Sequence, residues 1–258
     1  MRRWMPALAA LLGAPLLATA DSGHAEVLQQ AWLAHQPARD VHSKYPIHLR
    51  SRDFDVLAKG DIVARIVRSD TGDRVLGAFV SDVSRLRLWL AVQDAPHRVD
   101  DPSLVQVFQP GTTLTHQLLY LHIDTPWPVQ DRQSMVDIRY NGPLRVQSGD
   151  GIWERTWRTG TPDQASAPDP EALWMPVNEG GWQLVEVGGG KTLGVVSLRL
   201  DIGGAVPEEV AMRWGLATLD NTLQGIIDAG RTMHTHYVPG HEPIAMPDGA
   251  PIPRGPLP

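Results

Sequence analysis

The sequence predicts an α+β domain in which a curved antiparallel sheet closes around a long C-terminal helix, and three observations predict it. Short stretches rich in β-branched and aromatic residues recur from Asp61 to Leu200, separated by Gly, Pro, Asn and Asp turns, which is the pattern of neighbouring strands. One helical stretch, carrying Val83, Leu86 and Leu90, interrupts them after the second strand. A longer amphipathic stretch, roughly Glu208 to Ala229, ends the series with Met212, Leu216, Leu219, Leu223, Ile226 and Ile227 on one face. A sheet and a helix that each carry an apolar face bury them against one another.

At 258 residues and 42% apolar, the chain suits one domain of ordinary core size with short extensions. Arg2 and Arg3, an apolar run from Ala7 to Leu17 and the pattern Ala18-Thr19-Ala20 read as an export signal over residues 1–20. That run falls short of the roughly 20 residues a membrane span needs, so a mature chain starting near Asp21 is expected, periplasmic or secreted. The absence of cysteine excludes disulfides, thiolate metal sites and a lipid-modified cysteine at the cleavage point. A net charge of −6 argues against nucleic acid, whose phosphates call for clustered Lys and Arg.

Residues 21–60 are expected to hold a first helix, Glu26 to His35, stopped by Gln36-Pro37, and then a connector or edge strand over 47–57. The main domain, 61–231, starts with a hairpin of Asp61–Val67 and Arg74–Phe79 around Ser69–Asp73. Ser81 or Asp82 is placed to cap the helix that follows, in which Trp89 reads as core. Leu104–Phe108 forms the next strand. In Leu114–Ile123, Gln117, Leu119 and Leu121 share one face and Leu118, Tyr120 and His122 the other, so both faces are expected to be covered.

After the turn at Pro126-Trp127-Pro128, Val136, Ile138 and Tyr140 alternate with Met135, Asp137 and Arg139. Turn signals at Asn141-Gly142 and Ser148–Gly151 bracket Leu144–Gln147. Ile152–Thr159 puts Trp153, Arg155 and Trp157 on one face, which fits an exterior cross-strand cluster or a guanidinium stacked between indoles beside a ligand head group; the exterior cluster is preferred. Leu173–Val177, Trp182–Val187 and Thr192–Leu200 complete the strands, with Thr161–Pro170 a surface loop. Gly190-Lys191-Thr192 lacks the earlier glycine of a phosphate-binding loop, since Val185 stands there, and reads as a hairpin turn. Gly230-Arg231 is expected to end the last helix, and 232–258 reads as a mobile, proline-rich tail.

Several side chains invite chemistry. His234, His236 and His241 could bind a metal, but a proline-rich tail is a poor scaffold and no metal site is expected. His116 and His122 lack an obvious Ser, Cys or acid partner and read as structural. Trp127 could guard an entrance or pack on a loop, and Arg132 is expected to pair with Asp131 or another loop acid. No nucleophile elbow, zinc-protease helix or dinucleotide fingerprint occurs.

Pro126-Trp127-Pro128 with Asp131-Arg132, and Asp201-Ile202-Gly203-Gly204-Ala205-Val206-Pro207 ahead of the last helix, resemble two signatures of the START lipid-transfer domains, members of the Bet v 1-like superfamily. Arg85-Leu86-Arg87-Leu88-Trp89 resembles the family's helix after the second strand. The likeness covers roughly Asp61 to Arg231, with Gln133 where an aspartate is usual, Ile202 where a proline is usual, and no asparagine early in the final helix. It implies a helix-grip fold in an exported bacterial protein that binds or transports a hydrophobic small molecule or lipid in an internal cavity. It implies no cofactor, no catalysis, a monomer and transient membrane contact.

The acid and arginine that the family often keeps in its cavity match Gln117 and Ile138, which implies a neutral apolar ligand with Gln117 as its hydrogen-bonding anchor. The expected lining is Gln117, Leu119, Leu121, Val136, Ile138 and Tyr140 from the sheet with Leu216, Leu219 and Leu223 from the helix. A cyclase or hydrolase of the same superfamily, acting on an apolar ring, would instead gather titratable groups inside the cavity. An envelope interaction module using the tail would fill the cavity with side chains.

Overall fold

Nine strands form a curved, open antiparallel sheet that grips a 29-residue C-terminal helix. The computed structural model describes residues 18–45, 47–69, 72–94, 103–125, 128–236 and 244–252. In chain order the elements are α1 (Ala18–Leu33), α2 (Gln36–His42), α3 (Ser51–Ala58), β1 (Val63–Val67), β2 (Arg74–Ser81), α4 (Arg85–Gln93), β3 (Leu104–Phe108), β4 (His116–Ile123) and β5 (Arg132–Tyr140). There follow α5 (Gly142–Gln147), β6 (Ile152–Thr159), β7 (Leu173–Trp174), β8 (Val177–Glu186), β9 (Thr192–Asp201) and α6 (Glu208–His236). The sheet order is β1-β2-β9-β8-β6-β5-β4-β3, antiparallel throughout, with the short β7 added in parallel to β5.

The sheet separates two cores because β2, β8 and β9 are apolar on both faces. On the inner face Val75, Phe79, Leu184 and Val196 meet Leu88–Val92 of α4 and Met212, Leu219, Leu223, Ile226, Ile227 and Met233 of α6. On the outer face Leu76, Ala78, Val185, Leu193 and Val195 meet Leu28 and Trp32 of α1 and Phe54 and Leu57 of α3. Strand β4 is covered on both sides, as its double apolar pattern requires: Leu119 packs inward with Val136 and Ile138, and Leu118 and Tyr120 pack outward with Met135 and Trp174. Among the described residues no helix is long and apolar enough to cross a membrane.

Several elements differ from the sequence expectation. The stretch 47–57 contains helix α3, where the Asp53 carboxylate accepts from the Arg50 amide and caps the first turn. Leu144–Gln147 is helical because Asn141 Oδ1 accepts from the Leu144 amide and Pro143 sits in the first turn. Helix α4 is capped by Ser84, while Ser81 turns back onto the Val83 amide. The first helix spans Ala18–Leu33, burying Ala25, Leu28 and Trp32 and leaving Val27 exposed. Residues 1–17 and Pro126-Trp127 lie outside the described residues, and Ala18-Thr19-Ala20 forms the first turn of α1.

The C-terminal helix runs past Gly230 to His236. Gly230 is not a cap: a Cβ there would lie 2.9 Å from Val83 Cγ1 and 3.1 Å from Leu88 Cδ2, so this glycine lets α6 approach α4. The chain beyond is docked rather than loose over 244–252. Ile244 and Ala245 are buried, the Ala245 carbonyl accepts from Trp89 Nε1 and Gln93 Nε2, both at 3.0 Å, and its amide donates to Gln93 Oε1 at 3.0 Å. His241 lies outside the described residues.

Candidate functional site

Cross-strand register assembles the site. Gln117 lies opposite Ile138, Leu119 opposite Val136, Ile138 opposite Trp157, Tyr140 opposite Arg155, and Arg155 opposite Trp182. Side chains alternate along each strand, so these residues share the inner face. Val92 from the end of α4, Gln106 from β3 and Asn178 from β8 close the ring. Together with Leu119, Leu121, Val136, Ile138, Arg155, Trp157 and Trp182 they line a partly open hollow of about 160 Å³.

The hollow lies beside α6, and none of its described lining comes from that helix. Leu219 and Leu223, expected in the lining, instead press onto β2: a Cβ on Gly77 would sit 2.8 Å from Leu219 Cδ2 and 3.0 Å from Leu223 Cδ1. Leu216 is half-buried against the same core. The physical reason is contact geometry, because α6 packs on β1, β2, β9 and α4 and leaves the β4–β5–β6 part of the inner face to itself. Leu119, Leu121, Val136 and Ile138 do border the hollow, whereas Gln117 and Tyr140 are not among its lining.

Arg155 is the residue the sequence misplaced. It is fully inside the protein, 4% exposed, with Nη1 donating to the Val92 carbonyl at 2.7 Å and Nη2 to Gln117 Oε1 at 2.5 Å. Its Nε has no partner, and among the described residues no carboxylate forms an ion pair with it. Burial pulls the guanidinium down to about 10, which leaves it charged at neutral pH. The hollow is therefore not neutral: Gln117 serves the arginine, and the positive charge that the family resemblance placed at Ile138 comes from the neighbouring strand. The signal was present in β6, whose other face carries Glu154, Thr156 and Arg158, so two tryptophans had to point inward.

Tyr140 lies across from Arg155 on the neighbouring strand. Its ring meets Trp89 edge-on at 5.1 Å between centroids, its hydroxyl donates to Gln93 Oε1, and burial pushes it up to about 12. Trp89 is core, as its 1% exposure shows. The Trp-Arg-Trp face forms no guanidinium sandwich on Arg155. Arg85 stacks 4.0 Å from the Trp153 ring, and Trp157 Nε1 donates to Asn178 Oδ1 at 3.0 Å.

The remaining candidates lie away from the hollow. His116 and His122 have acid partners that the local sequence did not reveal: His116 Nε2 lies 2.8 Å from Asp137, and His122 lies 3.2 Å from Asp124 and 3.1 Å from Asp169. His122, Asp124 and Asp131 bring ligand-type atoms within 4.8 Å of one another at the far end of β4 and could hold a cation there. Among the described residues Arg132 pairs with no acid. It is buried and donates to the backbone carbonyls of Gln130, Ile202 at 2.7 Å and Gly203 at 3.4 Å, tying the β5 start to the approach to α6. A larger cleft of about 490 Å³ lies elsewhere, lined by the exposed Lys59, Asp82, Lys191 and Arg231 together with the buried Leu57, Ser81 and Ile227.

No protein-family model matches the chain, and no curated protein matches it. Solved structures do match. Human StAR-related lipid transfer protein 5 is 13% identical with a TM-score of 0.54, over 82% of this chain and 99% of that one. A STAR-related lipid transfer protein from Xanthomonas axonopodis is 21% identical with a TM-score of 0.53, over 66% and 92%. Human STARD10 is 12% identical with a TM-score of 0.52, over 66% and 73%. At these identities the likeness is one of fold: the chain has a START-like helix-grip fold.

Proposed function

We propose that this protein binds one apolar small molecule or lipid reversibly in the hollow bounded by β4, β5, β6, β8 and α4. The observation that carries the proposal is the hollow itself, where Leu119, Leu121, Val136 and Ile138 converge without filling the space between them. Its fold is shared with solved proteins whose names describe lipid transfer, which supports the same reading. At about 160 Å³ it is smaller than the roughly 300–1,000 Å³ that encloses a drug-sized ligand. It thus takes a short apolar segment as it stands, and a longer molecule extends past the half-buried rim residues Gln106 and Leu121 or displaces them.

A binding protein fits the hollow better than a proton-transfer enzyme does. General acid–base catalysis works best with a group that titrates near the working pH. Arg155 stays charged and Tyr140 stays protonated at neutral pH. Transient contact with a membrane is supported by a separate apolar groove at the start of α6, where Val129, Val210 and Trp214 are 38%, 52% and 41% exposed. Export and a monomeric state complete the proposal, the former supported by the N-terminal Arg2-Arg3 and apolar run.

Organic extraction of the purified protein followed by mass spectrometry tests the proposal, together with transfer of a fluorescent fatty acid between phosphatidylcholine vesicles. Retained apolar molecules and accelerated transfer are expected. A protein that retains nothing and moves nothing contradicts it.

A further inference from the structure

Resting on that reading, we propose that the hollow selects an apolar molecule with a carboxylate head, and that Arg155 holds the head. The charge balance of the hollow points to it. A buried ion without a counter-charge costs several kcal/mol even after relaxation. Arg155 has two neutral acceptors, the Val92 carbonyl and Gln117 Oε1, and an Nε–H that no acceptor among the described residues meets. Dipoles soften the cost without cancelling the charge. An anion arriving with the ligand would cancel it and take up the unmet donor.

The arrangement of polar and apolar groups gives the ligand a direction. Arg155 and its partner Gln117 are buried, the lining residues Leu119, Val136 and Ile138 are buried beside them, and Leu121 and Gln106 are half-buried. A molecule with one charged end and an alkyl tail fits that arrangement with its head at Arg155, its tail passing Leu119 and leaving by the half-buried Leu121. The head is a carboxylate rather than a phosphate because the lining, among the described residues, offers a single cation. One guanidinium matches one negative charge and two oxygens. A phosphate monoester brings about −1.5 to −2 charges and three acceptor oxygens at neutral pH. The other polar side chains of the lining are the amides Gln106 and Asn178, and the Asn178 oxygen is already bound by Trp157.

Calorimetric titration of the full chain near neutral pH with sodium octanoate, 1-octanol and octyl phosphate, which share one tail, tests the head assignment. Octanoate is expected to bind about tenfold or more tighter than octanol, the increment of a charge-assisted contact in a dry site. Arg155→Met is expected to abolish that preference while keeping the melting temperature at or above that of the parent, since it removes a buried charge that no carboxylate among the described residues balances. Arg155→Lys is expected to keep part of the preference. Equal binding of octanoate and octanol by the unmodified protein, or a preference that survives in Arg155→Met, overturns the head assignment and leaves the carrier reading standing. Tighter binding of octyl phosphate overturns the choice of carboxylate. Failure of all three ligands to bind overturns both.

Discussion

On β2 and β9 the inner face presents Val75, Gly77, Phe79 and Val196 to a helix that descends onto it, Leu219 and Leu223 reaching the space that Gly77 leaves open. On β4, β5 and β6 the same alternation presents Leu119, Leu121, Val136 and Ile138 to one another, to Val92 and to a lone guanidinium. Both regions have the same period and comparable apolar content, yet one is solid and the other hollow. The difference is which of them the C-terminal helix covers. A single helix fills about one helix-width of sheet, roughly 10 Å, and a sheet of this breadth needs more than that to close. The site is what the helix does not reach, which is why its polar contents come from strands.

Paired truncations give the sharpest contrast. Leu223→Ala is expected to cost about 3–4 kcal/mol, because it empties a fully packed position. Leu121→Ala, on the half-buried rim, is expected to cost less than about 1 kcal/mol, since its neighbours already face free volume. Urea denaturation with unchanged m-values measures both, and similar losses at the two sites would erase the distinction between solid and hollow halves.

A smaller effect tests the burial of Tyr140. Burial holds the Tyr140 hydroxyl up to about 12, above the value near 10 of an unfolded chain. Its contribution is therefore complete below pH about 10 and is lost as pH rises toward about 12, on the order of 1–2 kcal/mol. Thermal melts from pH about 9 to about 12 should show Tyr140→Phe losing less stability than the parent over that window. Parallel loss in both proteins would mean that Tyr140 is wetter than its contacts with Trp89 and Gln93 imply.

Much of this was legible in the chain itself. The strict alternation of β4 and β5 gave the inward set Gln117, Leu119, Leu121, Val136, Ile138 and Tyr140, because a half-buried strand writes its two faces at every second residue. The spacing of Met212, Leu219, Leu223 and Ile226 gave the helix and its buried stripe. What was not legible depends on register and approach. Arg155 becomes a site residue through its place opposite Tyr140 and Trp182, which no local pattern encodes. Gly230 looks like a cap in sequence and works as a close-contact residue against Val83 and Leu88. Ala245 is held by Trp89 and Gln93, more than 150 positions away in sequence. The half of the sheet that α6 covers was likewise a tertiary outcome, and it moved the hollow from beneath the helix to its side.

The position of a bound alkyl chain tests the central claim most directly. Intermolecular nuclear Overhauser contacts between octanoate and the methyl-labelled protein should reach Leu119, Leu121, Val136 and Ile138. Contacts to Leu216, Leu219 and Leu223 in their place would put the guest beneath the helix and contradict the account.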